Sequence, residues 1–115
     1  MGVRVIFRGD SGFFSGELLD YLESVSAGYL IKVKLKNLIW LLEGQKWEAV
    51  EGNAGWEQTD FMYQCATWNR ARQFVAVRKL IKIERGLLNI PVYEYFCYVT
   101  TERLSPMLVL MEMGN

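Results

Sequence analysis

The 115-residue chain has no histidine. That absence removes the usual general base near neutral pH, the commonest zinc ligand and every catalytic triad that depends on imidazole. Cysteine is scarce too, with only Cys65 and Cys97. Each lies in a strand-like run with no partner at metal-ligand spacing, so both are expected as small core residues in a reducing compartment, not as a staple or a zinc site. Charge of one sign is also missing, since 13 basic residues balance 13 acidic ones. The net charge therefore lacks the basic excess of a free-standing DNA-binding domain. No apolar run reaches the roughly 20 residues of a membrane helix. The first apolar stretch, Val3 to Phe7, is too short for a secretory signal and is interrupted by Arg4. The expectation is a cytoplasmic protein with no membrane partner. No internal repeat or low-complexity segment is present.

What remains is a chain built to fold. Hydrophobic residues make up 51% and aromatic residues 14%, enough for one domain with a real core. Val3 to Arg8 reads as a short buried strand closed by a turn between Gly9 and Gly12. The turn carries one isolated carboxylate, Asp10. A helix follows from Gly16 to about Ala27, with Ser15 as N-cap, Phe14 and Leu19 as a hydrophobic staple, and Glu17 at the positive helix end. Leu18, Leu19, Leu22 and Val25 share its apolar face, while Glu17, Asp20 and Glu23 read as a solvated one. Gly28 stops the helix, and Tyr29 to Leu35 is a second strand. A strand, one helix and a strand within some thirty residues predict a right-handed crossover between parallel strands. Asp10 would then sit at the carboxyl edge of the sheet, where ligands collect in strand-helix-strand folds.

The run Arg8-Gly9-Asp10-Ser11-Gly12-Phe13-Phe14, with Glu17-Leu18-Leu19 and the strand Gly28 to Lys34, resembles the middle of an insertion-sequence DDE transposase with an RNase H-like catalytic core. So does the later run Tyr93 to Thr101, and the likeness extends from about Val3 to Thr101. By this resemblance Asp10 is the second acidic residue of a metal-binding triad. The first aspartate would lie upstream of Met1 and the glutamate on a helix beyond Thr101; Glu112 does not match that position. The resemblance implies Mg2+ or Mn2+ in the full-length enzyme, with no tight binding by this segment, and DNA partners in the form of element ends and target. Asp10 would be catalytic and a metal ligand. Read from the residues alone, an aspartate here also closes a turn by bonding the amides of Ser11 and Gly12. The Gly9-Asp10-Ser11-Gly12 echo of a serine-protease motif carries nothing without a histidine base.

Past a short helix, Asn37 to Gly44, with Leu38, Leu41 and Leu42 on its buried face, the period changes to two and antiparallel strands are expected. These are Trp47 to Val50, Trp56 to Cys65, Gln73 to Glu84 with Val75, Val77, Ile81 and Ile83 on one face, and Val92 to Thr101. Trp40, Trp47 and Trp56 read as core. The fold class is therefore α+β. Residues 1–45 form a strand-helix-strand fragment of an RNase H-like core, 46–103 a mostly antiparallel β insertion, and 104–115 an apolar tail able to start a helix at Pro106. Between Asn69 and Arg85 basic residues dominate; Arg70, Arg72, Arg78, Lys79 and Lys82 would suit DNA phosphates, with Trp68 stacking or wedging. The same residues also read as the ordinary polar face of a strand. Met107 to Met111 is apolar on every side, which points to a homo-oligomer through the tail. The functional expectation is a DDE transposase segment, inactive alone because it has one of three carboxylates. The alternative is a non-catalytic α+β interaction or DNA-binding module.

Overall fold

The computed structural model describes residues 5–10, 12, 14–33, 38–102 and 105–113. Its strands are β1 (Ile6–Gly9), β2 (Gly28–Lys32), β3 (Glu48–Ala49), β4 (Trp56–Tyr63), β5 (Arg72–Glu84) and β6 (Ile90–Thr100). Its helices are α1 (Gly16–Ser24), α2 (Ile39–Glu43) and α3 (Pro106–Met113). The six strands form one sheet in the order β1-β2-β6-β5-β4-β3. Only β1 and β2 run parallel, joined through α1, and every other pairing is antiparallel. The architecture is α+β.

Local chemistry explains the boundaries. Ser15 caps α1, its Oγ accepting the Leu18 amide at 3.2 Å. Ser26, with φ of 58°, turns the chain out of α1 toward β2. Leu38 takes the N-cap position of α2 without a side-chain bond; the expected cap, Asn37, lies outside the described residues, as do Val3, Arg4, Lys34 and Leu35. Gly52 and Gly55 hold φ of 80° and 84° in the turn between β3 and β4, which side-chain-bearing residues rarely adopt.

β2 is buried on both faces, and that organises the core. On one side Tyr29, Ile31 and Val33 meet Leu19 and Leu22 of α1, Leu42 of α2, and Phe74 and Cys97. On the other, Leu30 packs with Val75, Tyr98 and Val109 of α3. Each such aliphatic side chain contributes about 1.5–3 kcal/mol by leaving water. The apolar tail thus finds part of its covering within the chain: Pro106 and Val109 are buried, whereas Leu108 stays exposed. Strands from the expected core fragment and from the expected insertion share the one sheet, because β2 pairs with β6.

Three readings of burial need correction. The first strand, read as buried, is largely at the surface, with Val5 and Ile6 67% and 37% exposed. Val75 and Val77 are buried while Ile81 and Ile83 are exposed, because β4 ends opposite Lys79 and every residue from Ile81 to Ile90 lies beyond it at the surface; a register irregularity between Leu80 and Lys82 falls at the same point. Trp40 is 63% exposed rather than core, because it stands on the outward side of the one-turn α2.

Candidate functional site

Asp10 follows the last residue of β1, at the carboxyl end of the parallel pair. Its carboxylate is at the surface, and Oδ1 accepts the Gly12 amide at 2.9 Å. A Cβ added to Gly12 would stand 3.2 Å from that oxygen, a tight contact that the exposed Asp10 side chain would have to shift to relieve. Both sequence readings of Asp10 meet here: it closes a turn, and it presents a carboxylate at the sheet edge. Ser11 and Phe13 lie outside the described residues. Among the described residues no group of three or more His, Cys, Asp or Glu stands close enough to hold a metal ion.

The basic stretch divides sharply. Arg72 is buried, at 3% exposure. Its Nε donates to Glu23 Oε2 at 2.8 Å, and its Nη2 donates to Asp20 Oδ1 at 2.6 Å and Glu23 Oε1 at 3.0 Å. Arg70 reaches the same Glu23 from the surface. Trp68 is buried too, stacked on Phe74 with ring centroids 5.7 Å apart and covered by the Arg72 guanidinium. A ring that stacks on bases must be exposed; this one is interior. Arg78 pairs with Glu57 at 2.7 Å and lies over Tyr93 and Trp47. Lys79 lies over the half-buried Trp56, and Lys82 sits 3.6 Å from Glu84 at the surface. The surface cations of the expected DNA-binding set are therefore Arg70, Lys79 and Lys82.

Sequence reasoning missed the cluster that Arg72 builds. Glu23 also accepts the Tyr29 hydroxyl at 2.6 Å. Burial alone would raise the Glu23 carboxyl, but hydrogen bonds from Arg72 and Tyr29, the Arg72 charge and the Arg70 bond hold it down at about 2. Burial and the bond to Glu23 push the Tyr29 hydroxyl above its ordinary range. Asp20 and Glu23 thus anchor a buried cation, which corrects the reading of Glu23 as part of a solvated face; Asp20, with its side chain 51% exposed, and Glu17 lie at the surface as expected. The spacing of three between the two acids was the available signal, since it sets both on one helix face. Chemically, the cluster fixes α1, and with it the turn that carries Asp10, against the sheet. Comparison of the chain with family models, curated proteins and solved structures gives no match.

Proposed function

We propose that this chain is part of an insertion-sequence DDE transposase, with β1, α1 and β2 contributing to an RNase H-like core. One observation carries the reading. Asp10 is a surface carboxylate at the carboxyl end of the first of two parallel strands, within the Arg-Gly-Asp-Ser-Gly-Phe run that bears the resemblance. In the whole enzyme Asp10 would hold Mg2+ or Mn2+ together with two carboxylates from outside this segment. Such ions supply activation of water, and then of a DNA 3′ hydroxyl, against phosphodiesters. The contribution of this chain is a negative charge whose orientation the Gly12 amide sets. One carboxylate does not fit a metal pair, which needs several oxygens on ions about 3.5–4 Å apart. The segment alone is accordingly inactive, and its DNA partners are those of the full-length enzyme.

The decisive experiment is to sequence and translate the DNA on both sides of the reading frame. An upstream strand ending in Asp and a downstream helix with Arg and Glu are the expected result; intact unrelated genes on both sides overturn the reading. A second reading, a non-catalytic α+β interaction module in the same cytoplasmic setting, is favoured by a specific feature. Every residue from Ile81 to Ile90 is exposed, including five large aliphatic ones.

A further inference from the structure

The hairpin of β5 and β6 outgrows the sheet. β4 stops at Trp56 opposite Lys79, and Gly55 takes the Leu80 amide at 2.8 Å. Beyond that point β5 has β6 on one side and, among the described residues, no strand on the other. The open lane runs from Ile81 to Arg85. It carries Ile81 at 56% and Ile83 at 47% exposure, and the tip adds Leu87 and Leu88, at 106% and 76%. A bare strand edge with exposed aliphatic residues is a template for another strand. The edge of β6 is blunted, because Pro91 stands opposite Ile83 and has no amide to donate. The β5 edge has no such block.

We propose that this edge of β5 pairs antiparallel with the same edge of a second copy of the chain, about a two-fold axis at Ile83. Charge selects both the occupant and the register. The chain is neutral overall, and the arm sets Lys79, Lys82 and Arg85 against Glu84 and Glu94, which leaves a single net positive charge, with Lys79 opposite Glu94 inside the hairpin. That pattern gives a polyanion or an anionic bilayer little to attract it. Around Ile83, however, Lys82 falls opposite Glu84 of the second copy, and Glu84 opposite its Lys82. Opposite charges directly across a ladder stabilise it, and like charges oppose it. Shifting the axis to Lys82 would set Lys82 against Lys82 and Ile81 against Ile83. The contact is isologous and closes as a dimer.

Sedimentation equilibrium of the full chain from about 5 to 500 µM tests this. The expected result is a monomer–dimer equilibrium whose constant weakens roughly tenfold or more in Lys82→Glu and in Glu84→Lys, each of which sets like charges across both contacts. The double exchange K82E/E84K regains the wild-type constant, and so does an equal mixture of the two single variants, whose charges complement one another. Circular dichroism of each variant should match wild type, since both positions are exposed. A chain that stays monomeric throughout, single variants that dimerise unchanged, or a mixture without recovery overturns the proposal. So does a monomer that binds a DNA duplex or anionic vesicles and loses that binding in Lys82→Glu, which would make the arm a polyanion contact.

Discussion

Arg72 and Glu23 form a two-pronged ion pair across the interface of α1 and the sheet, with Nε on Oε2 at 2.8 Å and Nη2 on Oε1 at 3.0 Å. Both charges have left most of their water, with side-chain exposures of 2% and 16%. Removing one partner strands the other, at a cost of about 3–5 kcal/mol for a buried pair. Arg72→Ala is expected near the upper end, because it also uncovers Trp68. Glu23→Gln should fall lower, since Asp20 still accepts from Arg72. Urea unfolding of both variants measures the difference; equal, near-zero losses would show that the pair is not formed.

The same carboxylate predicts an acid limb of stability. The folded Glu23 titrates at about 2 against an ordinary 4.5. A depressed carboxylate stabilises the fold above its unfolded value, and that contribution is lost as pH falls from 4.5 toward 2. Tyr29 acts in the opposite sense: its pKa is raised above 10, so its contribution is complete below 10 and drains away as pH rises beyond it. Melting temperature should plateau between these limits. Glu23→Gln should flatten the acid limb relative to wild type, and an unchanged limb would assign it to other carboxylates.

Gly16→Ala tests the packing at the start of α1. Alanine normally favours a helix over glycine by about 1 kcal/mol. Here the new Cβ would lie 2.7 Å from Cδ1 of Trp68, which is buried and cannot step aside. Net destabilisation of about 1–3 kcal/mol is expected in chemical denaturation; net stabilisation would place Trp68 elsewhere.

For Asp10, the variant Asp10→Asn keeps an oxygen able to accept the Gly12 amide, so stability without metal should change by less than about 0.5 kcal/mol. Any rise in melting temperature caused by millimolar Mn2+ should vanish in the variant. A rise that persists locates the ion at other carboxylates.

The two thiols should separate kinetically. Cys97 is buried, and burial pushes its thiol up to about 12, whereas Cys65 is only half-buried. A thiolate reagent at neutral pH should modify Cys65 in the native protein and reach Cys97 only on unfolding. Simultaneous modification of both would contradict the placement of β6.

Most strands and helices were legible from period and punctuation, to within one or two residues. Ser15 and Gly28 each announce a boundary by chemistry that acts within a few residues. The fate of the basic stretch was not legible. Trp68 and Arg72 look like surface groups in their own neighbourhood, and only carboxylates some fifty residues earlier, on α1, make a buried site for that cation. Ile81 and Ile83 misled for the reverse reason. Alternation assigns residues to a face but cannot tell where the body behind that face ends. Asp10 was placed correctly because a turn is a local object.

The pairing of β2 with β6 bears on how the chain is made. Tyr29 donates its amide to Thr101 Oγ1 at 2.9 Å and receives the Thr100 hydroxyl at 2.9 Å, across more than seventy positions. On a ribosome β2 would wait for more than seventy further residues before its antiparallel neighbour emerged. Until that strand arrived, β2 would have only β1 beside it, and the face of Leu30 that packs on Val75, Tyr98 and Val109 would stay open, so nascent chains stalled short of β6 should expose apolar surface and draw chaperones.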